Sequence, residues 1–194
     1  MNTPSHLLMA AAIDKALPRV PIVKTAFLLG SVAPDVPLWI LSIGGIVYYR
    51  FLLGWDSADV AHLLFDDLYF HHPLWLIGHN VLHSPVLLLV GLSVVWRSRR
   101  NIGSRSCGWF WFLVACLLHS AVDILTHADD GPLLLFPLNW NLRFHSPVSY
   151  WDSNHYGRQF QVFELALDGV LLIYLLKQRV CRFFRKVNRF HCDR

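Results

Sequence analysis

Charge is what this chain of 194 residues has least of. Asp, Glu, Lys and Arg together make up 15% of it, against 55% hydrophobic residues, whereas soluble domains carry about 25% charged residues. So little charge does not cover the surface of a soluble monomer, and so high an apolar content excludes a disordered chain. Glutamate is nearly missing: of thirteen acidic residues only Glu164 is a Glu. The four cysteines (Cys107, Cys116, Cys181 and Cys192) form no C-x-x-C pair, which argues against a thiolate zinc site. Cys107 and Cys181 adjoin basic clusters, so they are expected in a reducing compartment and without disulfides. The N-terminus lacks a basic stretch ahead of its apolar one, unlike a secretory signal. Repeats and low-complexity linkers are also absent. The expectation is one membrane-embedded domain over 1–194, with a basic tail at about 179–194.

What the chain does hold is apolar runs and histidine. Segments 73–96, 108–127 and 160–177 each approach the roughly 20 residues that cross a bilayer. Trp75, Trp96, Trp109 and Trp111 sit near their ends, as interfacial aromatics do. Arg97, Arg99, Arg100 and Arg105 form one basic cluster, and Lys177, Arg179, Arg182, Arg185, Lys186, Arg189 and Arg194 another. Together they hold eleven of the seventeen basic residues. Both follow apolar runs, which predicts that loop 97–105 and the C-terminus are cytoplasmic. The tail also has the composition to meet anionic lipid heads or nucleic acid; the topogenic reading is preferred and nucleic acid is not expected. Residues 4–17 and 21–33 read as two short helices, broken at Pro18, Pro21 and Pro34. A further apolar run covers 37–53. The expected fold is an all-α, polytopic membrane bundle with a metal site between helices.

Eleven histidines in such a chain need a role. His119, Asp123 and His127 recur every four residues on one face of an apolar span, each step advancing about 6 Å along the axis. Ionisable side chains at membrane depth are costly and mark function by default. His119 and His127 lie roughly 12 Å apart along that helix, too far for one ion, although Asp123 could bridge two. The bland alternative is a hydrogen-bonded polar seam between helices. His79 and His83 repeat the spacing on the preceding span, at the same predicted outer level. Asp35, between two prolines, is expected in extended chain at a helix exit, beside His6. The outer loop 128–159 reads as a lid or recognition loop, in which Asp152 and His155 are additional ligand candidates. Arg143 and Arg158, the loop's only basic residues, are candidates for orienting a phosphate. Glu164 is a candidate ligand or general base.

Several of these stretches together resemble one family. They are T-P-S-H-L-L at 3–8, G-x-x-x-P-D from Gly30 to Asp35, His83-Ser84, and L-x-H-x-x-x-D-x-x-T-H from Leu117 to His127, followed by P-L-x-x-F-P and P-V-S-Y-W-D. The chain is similar over about residues 3–157 to the predicted inner-membrane metal-dependent hydrolases that include the YdjM-type, LexA-binding membrane proteins. That resemblance implies a metal site of His6, Asp35, His83, His119, Asp123 and His127. Many members carry H-R-G-x-T-H-S, whose first His falls on Gly78 here. The order of ligands also resembles, distantly, zinc-dependent phospholipase C. The expected function is a multi-pass inner-membrane hydrolase holding one or two divalent ions, zinc foremost. Asp123 and Glu164 are its catalytic candidates, and a phosphoester or ester, lipid-like because of the interfacial site, is its substrate. The alternatives are a scaffold that binds a partner through its basic tail, and a metal or proton carrier.

Overall fold

A computed structural model describes the backbone of residues 1–97 and 105–192, and the side chains of those residues up to 177. Arg99 and Arg100 lie outside the described residues, as do the side chains of the basic tail. The described chain is helical apart from short connections and the long loop after Thr126, where the one bridge among described residues pairs Leu133 with Arg143. In order the helices are α1 (Thr3–Ala16), α2 (Lys24–Gly30), α3 (Val36–Ile46), α4 (Ser57–His62), α5 (Tyr69–His71), α6 (Pro73–Asn80), α7 (Pro85–Val95), α8 (Arg105–Thr126) and α9 (Gly157–Cys192). Wider π-helical turns, Val47–Leu52 and Leu63–Leu68, continue α3 and α4.

Among the described residues two helices are each long and apolar enough to cross a membrane: α8, with 22 residues, and the first 21 residues of α9. At 1.5 Å per residue these reach about 33 and 31 Å, close to the thickness of the hydrocarbon. Leu165 and Ile173 on α9 are 75% and 71% exposed. Water would penalise such a surface, and lipid does not. α9 also runs beyond Lys177, where the apolar run ends, to Cys192.

The run 73–96 differs from the single straight span expected of it. It is two helices, α6 and α7, meeting at a bend of 47°. Pro85 is the cause: it has no N–H to give to the carbonyl four residues back, and its ring obstructs a continuing helix. The chain restarts at once, because proline is suited to a helix's first position. Asp35 also departs from expectation. Its backbone is helical (φ −79°, ψ −21°) rather than extended, and it stands at the cap of α3 with Pro37 in the first turn. Only Ala33 and Val36 directly precede prolines, so Asp35 is free of that restriction.

α2 lies against α8, α7 against α8, and α1 against both α2 and α9. Gly30 permits the first contact: a Cβ there would come within 2.2 Å of the Phe112 carbonyl oxygen on α8. A small apolar core of Ala10, Phe27 and Ala115 joins α1, α2 and α8. A second, of Val60, Leu64, Tyr69 and Trp75, packs the middle segments under α3. These contacts carry the start of α1, the cap of α3, the α6–α7 break and the end of α8 to one place.

Candidate metal centre

Asp35, His83, His119 and Asp123 meet there. One ligand-type atom from each lies within 4.8 Å of all the others. His83 and His119 are fully or almost fully buried, as is Asp123. Their Nε2 atoms are 3.1 Å apart. His83 Nε2 stands 3.5 Å from an oxygen of Asp35 and 3.5 Å from one of Asp123. The same distances from His119 Nε2 are 3.3 and 3.0 Å.

Three places in the fold supply these four residues. Asp123 and His119 stand one turn apart on α8. Asp35 comes from the turn between α2 and α3, where Thr3 Oγ1 donates to its other oxygen. His83 comes from the break, and its own carbonyl accepts from Ser120 Oγ of α8. Polar side chains replace helical hydrogen bonds at such a break, as hydrocarbon requires. Ser84 Oγ donates to the Phe136 carbonyl at 2.7 Å. Asn80, fully buried, donates to the Leu76 carbonyl at 2.8 Å and accepts from the Leu133 N–H at 2.7 Å. Asn80→Leu leaves that N–H buried without an acceptor. It is expected to destabilise the protein by about 2 kcal/mol, read as a lower Tm in detergent.

The proton inventory of the two imidazoles tests whether a cation suits the group. His83 Nδ1 lies 2.7 Å from the His79 carbonyl, and His119 Nδ1 lies 2.8 Å from the Ser31 carbonyl. A carbonyl oxygen only accepts, so each Nδ1 carries the hydrogen. In the neutral rings both Nε2 atoms are then bare lone pairs, and they face each other and two carboxylates. With neutral rings these four acceptors repel one another; either a second proton on the imidazoles, donated to the carboxylates, or a cation between the four removes the repulsion. A backbone carbonyl holding the far nitrogen is also how metal-binding histidines are commonly oriented. The spacing agrees: ligand atoms bonded tetrahedrally at about 2.0–2.1 Å lie about 3.3 Å apart. The five separations given above fall between 3.0 and 3.5 Å. The residues fit a divalent ion.

The other sequence candidates stand around this group in different ways. His6 Nε2 lies 2.9 Å from Asp123 Oδ1, and its ring stacks on that of His119 at 3.7 Å. His127 Nδ1 donates to the Asp123 carbonyl at 2.9 Å and stays 3.9 Å from its carboxylate. The Met1 amino group donates to Asp123 Oδ1 and to Thr126 Oγ1, each at 2.9 Å. Asp123 therefore turns Oδ2 toward His83 and His119, and Oδ1 toward His6 and the amino group. His79 is buried with its ring 4.3 Å from that of His83, and the Tyr69 hydroxyl lies 3.4 Å from its nitrogens.

Glu164 accepts from the Asn2 N–H and side-chain amide, both at 2.7 Å, and ties α9 to the start of α1. Asp152 and His155 pair with each other at 2.8 Å in a local turn. The Arg143 guanidinium donates to the Gly131 carbonyl and lies over the rings of Tyr69 and Phe70. Arg158 is exposed at the start of α9. Thr3, Ser120, Asn80 and Tyr69 escaped the sequence reading. For Asn80 the signal was there, a lone amide inside an apolar run.

Outside the spans, the charge states follow from burial and partners. Burial alone would raise the Asp35 carboxyl, but hydrogen bonds from His119 and His83 outweigh it and hold the group below the usual carboxylate range. Burial pushes the His6 pKa down despite the neighbouring Asp123 carboxylate, and burial also lowers that of His127.

The fold and the site define a helical membrane protein with a buried His/Asp cluster between its helices, able to hold a metal ion. The chain belongs to the YdjM inner membrane protein family, which it matches over residues 1–183. No curated protein and no solved structure matches it.

Proposed function

We propose that this protein is a membrane-bound hydrolase of phosphoesters or related esters that uses a divalent ion, zinc foremost, held by Asp35, His83, His119 and Asp123. The observation that carries the reading is the convergence of four acceptors, two of them imidazole nitrogens whose far sides are already bonded to carbonyls. Two nitrogens and two oxygens are a donor set that zinc accepts. A bound divalent ion supplies Lewis-acid polarisation of the ester and a water made acidic near neutrality.

The protein's own groups would orient the ligands. Asp123 Oδ1 faces away from His83 and His119, and His6 Nε2 stands 2.9 Å from it. Burial disfavours a second proton on the His6 ring, and Nε2, facing a carboxylate, carries the hydrogen that Asp123 Oδ1 accepts, so His6 would orient Asp123 and leave its Oδ2 directed at the ion. The stacked His119 ring limits how His6 can turn. Glu164, with both oxygens occupied by Asn2, serves in this reading to position the start of α1, and with it His6. Glu164→Gln is then expected to keep the metal and to lower stability by about 1–2 kcal/mol. Complete loss of turnover with an unchanged Tm would instead make Glu164 the general base.

The test of the function is metal analysis of detergent-purified full-length protein, followed by hydrolysis of p-nitrophenyl phosphate, bis-p-nitrophenyl phosphate and p-nitrophenyl esters. The expected result is at least one equivalent of metal, with turnover lost on chelation and restored by the ion. A protein that holds its metal and cleaves none of these probes would sink this reading in favour of a structural ion.

A further inference from the structure

A cavity of about 100 Å³ lies between α1, α2 and α8. Its walls are apolar: Met9, Ala10 and Ile13 from α1, Phe27 from α2, and Leu118 and Val122 from α8. Ser31 contributes a hydroxyl that is already spent on the Leu28 carbonyl. His6 and His119 also line it, and both belong to the His/Asp cluster or touch it. The cavity thus ends against the rings of His6 and His119, the latter one of the four clustered residues.

Its mouth has a definite depth. Leu118, 43% exposed, lies on the outer surface of α8. It stands 13 residues after Arg105 and 8 before Thr126, about 20 Å and 12 Å from the two ends of the span. In a hydrocarbon layer about 30 Å thick, that mouth opens among lipid tails and not into water. Phe27 and Ala10, in contrast, are only 1% and 5% exposed, so a chain outside the protein does not reach them.

We infer that this cavity receives the hydrocarbon tail of a bilayer lipid whose polar group lies at the metal centre. The inference rests on the hydrolase reading and gives it a substrate class, a membrane amphiphile. Moving a tail from bilayer to apolar cavity gains little hydrophobic energy. The cavity therefore selects tails by shape, and the polar group supplies the hold.

The test uses the full chain in nanodiscs doped with a diacyl phosphatidic acid that bears a diazirine among the first carbons of one acyl chain, the part a cavity of about 100 Å³ beside the metal centre would hold. After irradiation, labelled peptides are mapped and the metal content of the same sample is measured. Label is expected on Phe27 or Ala10, beside the ordinary bilayer label on Ile173. Leu118→Trp, which obstructs the mouth, should cut the inner label about tenfold, the low end of what one mis-sized group changes in an apolar pocket. Label on Ile173 and the metal content should not change. Met9→Trp, from the opposite wall, repeats the test if Leu118→Trp does not fold. Label confined to exposed residues, inner label indifferent to both variants, or cross-links to a second copy of the chain would each overturn the proposal. Inner label in a protein without metal would leave the tail site standing and remove the hydrolase reading instead.

Discussion

Asp123→Asn is expected to strip the metal from the purified protein while leaving the helical fold in place. The substitution keeps the size of the side chain and removes its charge from the middle of the cluster. A structural zinc site binds with roughly 10–16 kcal/mol, so one of four ligands accounts for about 3 kcal/mol, more than a hundredfold in affinity. Asp123 should exceed that share, because its two oxygens serve different partners. One faces His83 and His119, and the other faces His6 and the Met1 amino group. Equilibrium dialysis against zinc, with circular dichroism on the same sample, separates the outcomes. Unchanged metal content in a folded variant would falsify the proposed centre.

The second large effect is expected far from any ligand. Gly30→Ala places a methyl group against the Phe112 backbone oxygen and the Ala115 side chain. Neither is the movable end of a long side chain, so α2 must shift away from α8. Overpacking of this kind costs about 1–3 kcal/mol and occasionally more. The shift also reaches the site. Ser31, the next residue, holds His119 Nδ1 through its carbonyl, and loss of such an orienting partner lowers metal affinity about 10–100-fold. Gly30→Ala should therefore lower Tm and zinc affinity together. A control at Gly44, where an added Cβ meets nothing within 4 Å, should change neither. A Gly30 variant that loses Tm but binds zinc as before would show that the Ser31 contact does not govern the site.

The His119–Asp123 pair was legible because helix geometry alone puts residues four apart on one face. The same arithmetic separated His119 from His127, and the structure keeps His127 outside the group of four, bonded to a backbone carbonyl instead. Residues 73–96 were harder. Their hydropathy reads as one span, and only Ser84-Pro85 announces the break that turns His83 inward. Asp35 shows the opposite case, in which neighbouring prolines suggested extended chain and the turn between α2 and α3 made it helical. Glu164 stood out in the sequence because an acid in an apolar helix is rare, but the group it bonds did not. Its partner, Asn2, is 162 residues away and carries no periodic signal.

The scarcity of charge, the apolar runs and the four-residue spacing of His and Asp determined by themselves a helical membrane protein with an ionisable face inside it. Each depends on composition or on neighbours along one helix, and both can be read from a string of residues. Only the tertiary structure decided which acceptors share a point. That choice is made where four elements meet, by Gly30 letting α2 approach α8, by Pro85 breaking a helix, and by carbonyls of Ser31 and His79 setting the imidazole protons. Those contacts join residues distant in the chain, and a distance of 3 Å between two side chains has no period along a sequence.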